Sequence, residues 1–190
     1  MEKISDIIRE NILINETILN DFDLINKIYK FYEMCLECIL NGGKILVCGN
    51  GGSAADASHF ATEFIGRFNF NRNPYPAISL NADSILLTAL ANDYEYCQVF
   101  SRQVSALMLS KDILLVISTS GTSLNIINAI KSANQIGGKT VFLTSKLFQN
   151  GNYTCDLILD VPSKNIPRIQ ECHTLILHIV CELLGTVDTI

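Results

Sequence analysis

The chain has only three histidines, and two of them sit where neighbouring residues could give them chemistry. His59 and Glu63 are four residues apart in an apolar-periodic stretch, so on a helix they fall about 40° apart, on one face. Gln170 and His178 are eight apart in a second such stretch, about 80° apart and two turns distant. Imidazole, carboxylate and amide oxygen can all ligate a divalent metal, and a carboxylate beside an imidazole is also an acid–base pair. An i,i+4 His–Glu pair serves equally well as a surface contact, and spacing does not separate these readings. His173 lies on another face of its stretch and reads as a partly buried histidine of the fold.

Two loops could hold an anion. Gly49-Asn50-Gly51-Gly52-Ser53-Ala54 follows a short apolar run and opens a helical stretch, in the pattern G-x-G-x-x-A. A dinucleotide fingerprint would also need an acidic residue about 20 positions on for the ribose, and residues 64–82 contain none. What remains is the general property of such a loop: glycines let backbone N–H groups approach an oxyanion at a helix N-terminus. The second loop, Ser118-Thr119-Ser120-Gly121-Thr122-Ser123, holds five hydroxyl residues in six positions, more than the single hydroxyl a helix cap requires. It suits a phosphate held without lysine. No G-x-x-x-x-G-K-[ST] motif occurs, which argues against a nucleoside triphosphate.

The elements that must position these groups alternate. Apolar residues at three- and four-residue steps predict helices over 3–20 and, capped by Asp21 or Asp23, through Leu40, where Asn41-Gly42-Gly43 ends the pattern. Strands are predicted over 44–48, 77–80, 113–117, 140–144 and 157–161. Helices fall at 53–68, from about 83 with a break near Asn92-Asp93, at 123–136 and at 167–184. Continuously apolar strands alternating with helices predict an α/β fold: a three-layer αβα sandwich around a five-stranded parallel sheet of flavodoxin-like type, preceded by N-terminal helices. Ligands in such folds sit at the carboxyl ends of the strands, where both loops lie.

Composition limits the partners. Fourteen Lys and Arg against 19 Asp and Glu give a net charge of −5 with no basic run, which disfavours nucleic acid or an anionic membrane surface. No apolar run reaches the roughly 18 residues of a membrane span, and the opening residues lack a leader pattern, so a cytoplasmic protein is expected. The seven cysteines follow no framework spacing, and Cys35 and Cys38 read as small core residues rather than a redox or zinc motif. The first helix carries an apolar stripe (Ile4, Ile7, Ile8, Ile12, Ile18, Leu19) with no vacant place on the sheet. Residues 1–41 are therefore expected to pack against other subunits.

Taken together, Cys48-Gly49-Asn50-Gly51-Gly52-Ser53, His59-Phe60-Ala61-Thr62-Glu63, Gly66-Arg67, Asn92-Asp93, Ser118-Thr119-Ser120-Gly121 and Arg168-Ile169-Gln170-Glu171 resemble the phosphoheptose isomerase family of the sugar isomerase (SIS) fold. The resemblance runs in order over roughly residues 40–185. It implies one SIS domain over 1–190, a homotetramer, and isomerisation of sedoheptulose 7-phosphate to D-glycero-D-manno-heptose 7-phosphate, an early step toward ADP- or GDP-heptose for cell-surface glycans. It implies substrate contacts from Asn50, Gly51, Gly52, Ser53, Glu63, Asn92, Asp93, Ser118, Thr119, Ser120, Ser123 and Gln170. It implies one zinc per subunit on His59, Glu63, Gln170 and His178, with Glu63 and His178 as the acid–base pair. The chain departs from the family pattern at Pro167, where an Asp precedes Arg-Ile-Gln, and at Thr62, where an acidic residue is common. A non-catalytic SIS branch that binds the bacterial replication initiator is also similar, but it lacks counterparts of Glu63 and His178.

Overall fold

In the computed structural model, which describes residues 1–69, 71–146 and 153–186, five parallel strands form one sheet. They are β1 (Ile45–Gly49), β2 (Ala77–Ser79), β3 (Ile113–Ile117), β4 (Lys139–Ser145) and β5 (Leu157–Val161), in the spatial order β2-β1-β3-β4-β5. Strand β1 therefore pairs with β2 on one side and β3 on the other. The chain reverses its direction of winding between them, and the crevice at the carboxyl ends of β1 and β3 is the switch point where ligands bind in open α/β sheets.

Side chains alternate across each strand and are buried on both faces. Ile45, Val47, Ile113, Leu115 and Ile117 enter the core under α2 (Phe22–Leu40), α3 (Gly52–Ile65) and α7 (Ile166–Gly185). Leu46, Cys48, Leu114 and Val116 enter the opposite core, under α5 (Val99–Leu107) and α6 (Leu124–Ile136). Helix α4 (Ser84–Tyr94) buries no residue of its own; Leu87 and Leu90 only lean on that second core. The predicted αβα sandwich is thus the fold observed.

Most element ends match the expectation, with physical reasons where they do not. Asp21, not Asp23, caps α2: its carboxylate accepts the N–H of Leu24 at 3.1 Å. Helix α3 stops at Gly66, short of residue 68. The break expected at Asn92-Asp93 falls at Glu95, because Asp83 starts the helix and its turns run on through Tyr94. Helix α1 (Glu2–Leu19) packs on α2 and α7, and Ile18 of the predicted stripe is buried there with Ile14. Ile4, Ile7, Ile8, Ile12 and Leu19 remain exposed in the single chain. All seven cysteines are unpaired. Cys35 and Cys38 are buried, and burial raises both thiols, Cys38 to about 11, so neither is poised for thiolate chemistry.

His173 departs from its expected half-burial. It is fully buried, and its Nε2 lies 2.9 Å from the Thr144 carbonyl oxygen, so that nitrogen carries the proton and donates. Nδ1 has no partner. Burial lowers the ring from 6.5 to about 4, partly offset by the Thr144 bond. Below pH 6.5 the unfolded chain takes up a proton that the native ring refuses, so stability falls from there down to about pH 4. Urea unfolding of the parent should lose roughly 2–3 kcal/mol more between pH 6.5 and 4.5 than His173→Gln, which keeps a donor for Thr144 but cannot titrate. Parallel pH profiles would assign the acid loss to another group.

Candidate active site

The site begins where β1 ends. Asn81 pins this end: its amide donates to the Gly49 carbonyl at 2.9 Å and its Oδ1 accepts the Gly49 N–H at 3.1 Å. The chain then turns through Gly51, whose φ of 57° and ψ of −123° suit only glycine, and enters α3 with the buried Ser53 on its first turn. The N–H groups of Ser53 and Ala54 close this turn onto the carbonyls of Asn50 and Gly51, both at 3.0 Å.

One strand over, the loop after β3 folds on its own hydroxyls. Ser118 Oγ accepts the N–H of Gly121 at 3.2 Å, and Ser120 Oγ accepts from the N–H and Oγ1 of Thr122 at 3.4 and 3.3 Å. Ser145 Oγ donates to the Thr119 carbonyl at 3.1 Å, tying the loop to the end of β4. Ser123 occupies the N-cap of α6 without a side-chain cap bond. Its hydroxyl is not consumed by the helix, so the plain capping role is not what this serine serves.

The imidazoles and carboxylates gather on the seam between α3 and α7. His59 Nε2 and Glu63 Oε1 are 2.9 Å apart. The ring of His178 stands edge-on to that of His59, centroids 5.0 Å apart, with Phe68 5.2 Å away on another side. His178 Nε2 is buried without a hydrogen-bond partner. A turn earlier on α7, Thr174 donates to Asp56 Oδ1 at 3.0 Å, while Asp56 Oδ2 is buried and unpartnered. Burial raises the Asp56 carboxyl, opposed by the Thr174 bond and by the nearby His59 and His178. At the start of α7, Gln170 lies over Gly52 so closely that a Cβ there would sit 2.2 Å from its Nε2. Gln170 thereby joins the seam to the glycine loop.

Among the described residues no group of three or more His, Cys, Asp or Glu stands close enough to hold a metal as placed. The donor set is nonetheless suitable: two imidazoles, a carboxylate and an amide oxygen from two packed helices. The orphaned Nε2 of His178 is a buried lone pair or proton in need of a partner, which a cation would supply.

Sequence comparison places this geometry among known proteins. The SIS domain family matches residues 16–145. The chain is 46% identical over 181 residues to the phosphoheptose isomerase of Aliarcobacter butzleri, covering 95% of this chain and 96% of that one. It is 50% identical over 149 residues to that of Helicobacter pylori strain HPAG1, 78% of each chain. The solved phosphoheptose isomerase of Francisella tularensis superposes with a TM-score of 0.91 at 39% identity over 98% of both chains. The chain belongs to the phosphoheptose isomerase family of SIS-domain proteins.

Of the residues singled out in advance, the family fold brings together His59, Glu63 and His178, and sets Gln170 against Gly52. Asn50, Gly51, Gly52 and Ser53 line one loop at the switch point, and Ser118, Thr119, Ser120 and Ser123 the other. Asn92 and Asp93 are placed differently: both are exposed at the end of α4 and bond to each other, Nδ2 to Oδ1, at 2.9 Å. Pro167 stands in the first turn of α7, where a missing N–H breaks no intrahelical bond. Thr62 is exposed and its hydroxyl donates to the Ser58 carbonyl at 2.9 Å.

Three residues escaped the sequence reading. Asp56 lies one turn before His59 on the same helix, a spacing that could have flagged it. Arg72 donates to the carbonyls of Glu63 and Phe64 at 2.7 and 2.9 Å, closing the last turn of α3 under the Glu63 side chain. Tyr96 donates to Asn50 from 46 residues away, which no local pattern announces. The Gln170–Gly52 contact yields a prediction. Gly52→Ala adds a methyl that meets the movable end of a side chain, so its melting temperature should stay within about 3 °C of the parent. Displacing Gln170 should lower turnover roughly tenfold or more, since small misplacements at a reacting centre are costly. Full activity in that variant would remove Gln170 from the site.

Proposed function

We propose that the chain isomerises sedoheptulose 7-phosphate to D-glycero-D-manno-heptose 7-phosphate through an enediol. The observation that carries this reading is the α3–α7 seam, where Glu63 and two imidazoles converge and Gln170 reaches the glycine loop. The loops after β1 and β3 hold the phosphate by backbone N–H groups and hydroxyls, with Ser120 and Ser123 as anchors. Asn92 and Asp93 would meet the sugar from the end of α4. With the sugar anchored, Glu63 takes the proton from C1 and returns it to C2. As placed, His59 meets Oε1 and Oε2 is the oxygen left to accept the proton; with both residues on a metal, one carboxylate oxygen would ligate and the other would accept. His178 moves the second proton between O1 and O2, and with Nε2 given to a metal it would do so through Nδ1.

Zinc, one per subunit, is the metal we assign to His59, Glu63, Gln170 and His178. When bound it would polarise the two substrate oxygens and stabilise the enediolate. A non-catalytic sugar-phosphate-binding adaptor of the replication-initiator-binding type is the weaker reading, because it has no use for a carboxylate and two imidazoles brought to one seam. We also propose a homotetramer in the cytoplasm. Exposed Ile4, Ile7, Ile8 and Ile12 on α1 and Ile85 on α4, which is 80% exposed, support assembly. Among the described residues no helix is long and apolar enough to cross a membrane. The net charge of −5 argues against a nucleic-acid partner.

Incubation with sedoheptulose 7-phosphate, followed by NMR of the products, tests the reaction. Glu63→Gln should lose at least about a thousandfold in kcat while still binding the sugar phosphate, because the amide keeps the shape but cannot take a proton. Residual activity above a few per cent would remove Glu63 as the base.

Protein purified without added metal should contain about one zinc per chain and scatter light as four copies. Stripping the metal should lower activity, and zinc should restore it. A metal-free, fully active monomer would contradict both assignments.

A further inference from the structure

The Asn50 amide is held from two sides, and the hydrogen-bond pattern fixes which atom is which. Asn125 Oδ1 accepts the backbone N–H of Ile126 at 3.0 Å, so that atom is the oxygen and its neighbour the NH2. The amides of Asn50 and Asn125 then pair head to tail, Asn50 Nδ2 donating to Asn125 Oδ1 and Asn125 Nδ2 to Asn50 Oδ1, both at 2.9 Å. Tyr96 Oη lies 2.9 Å from the same Asn50 Oδ1. Facing an oxygen, the phenol must donate. Asn50 Oδ1 is thereby saturated by two donors, and Asn50 can offer a ligand only the second N–H of Nδ2. Tyr96 has spent its proton, and its oxygen can offer a ligand only lone pairs.

The backbone before Tyr96 is strained to deliver it. Glu95 holds φ 77° and ψ 150°, a region almost reserved for glycine, and is the one non-glycine residue with positive φ among the described residues. This turn swings the chain out of α4 and into a short 3-10 turn at Tyr96–Gln98. Asn128 of α6 fastens that turn by donating to the Cys97 carbonyl at 3.0 Å. Tyr96 is 57% exposed, so its hydroxyl reaches Asn50 across the surface of the site rather than through the core.

We propose that Tyr96 recognises a hydroxyl of the sugar by accepting its hydrogen bond, and so acts as a specificity residue. An oxygen left with only lone pairs complements a hydroxyl, which can donate to it, while the remaining Asn50 N–H leaves from the opposite edge of the amide and serves a separate acceptor. Such an oxygen does not complement the phosphate dianion of the sugar, whose oxygens only accept and would meet the Tyr96 lone pairs unfavourably. The proposal rests on the isomerase reading for its substrate.

Tyr96→Phe removes one exposed hydroxyl and leaves the ring. We expect it to raise KM and calorimetric Kd for sedoheptulose 7-phosphate about three- to tenfold, with a smaller change in kcat. The inhibition constant of inorganic phosphate should stay within about twofold. An unchanged Kd for the sugar phosphate would overturn the proposal, and so would a phosphate constant that rises in step with it. A parent that binds the sugar phosphate without turning it over would instead sink the isomerase reading, and the Kd ratio would still judge Tyr96. A parent that neither binds nor converts it would overturn both.

Discussion

The end of Gln170 can lie over the opening of α3 because position 52 has no side chain: it fills the space a Cβ would take. From that contact the two helices stay paired through Thr174 and Asp56 to the stacked edge of His59 and His178. Helix α1 braces the same start of α7 from outside. Asn11 donates to Glu171 at 2.6 Å, Asn165 donates to both Glu10 oxygens at 3.1 and 2.9 Å, and Arg168 is paired with Glu171. An N-terminal helix that looks like a separate appendage is thus tied to the helix that carries two of the proposed metal ligands.

The site handles an anion without a cation in its loops. Neither Gly49–Ala54 nor Ser118–Ser123 contains Lys or Arg, and the chain as a whole is negative. The attraction is local, from the first turns of α3 and α6, which open at adjacent strands on either side of the switch point. In the proposed reading, hydroxyls of fixed orientation then select a phosphate by shape. Such a site favours a dianion presented end-on by a flexible sugar.

Much of this was legible in the residues. The continuously apolar runs alternating with helical periods gave the layer order, because buried parallel strands must be apolar on both faces. The loops were recognisable as glycine or hydroxyl sequences opening helices. His59 and Glu63 were legible as a pair because one helix turn joins them. What was not legible depends on contacts between distant segments. Gln170 over Gly52 requires the docking of α7, and Tyr96 on Asn50 requires the turn at Glu95. The full burial of His173 depends on the carbonyl of Thr144, 29 residues away. The position of the break after α4 was missed because Asn92-Asp93 signals a turn by composition, whereas the helix is set by its cap at Asp83 and stops only at the strained residue.

The central claim is that the α3–α7 seam moves a proton between adjacent carbons of a sugar phosphate. The most direct measurement is conversion of sedoheptulose 7-phosphate in D2O, read by proton NMR and mass spectrometry of both sugars. A carboxylate base that carries the proton through an enediol should exchange it with solvent, so deuterium should appear at C2 of the aldose and at C1 of the recovered ketose. Complete conversion with no deuterium in either sugar would contradict the account, because it would mean that hydrogen passes directly from one carbon to the other without a base on the seam.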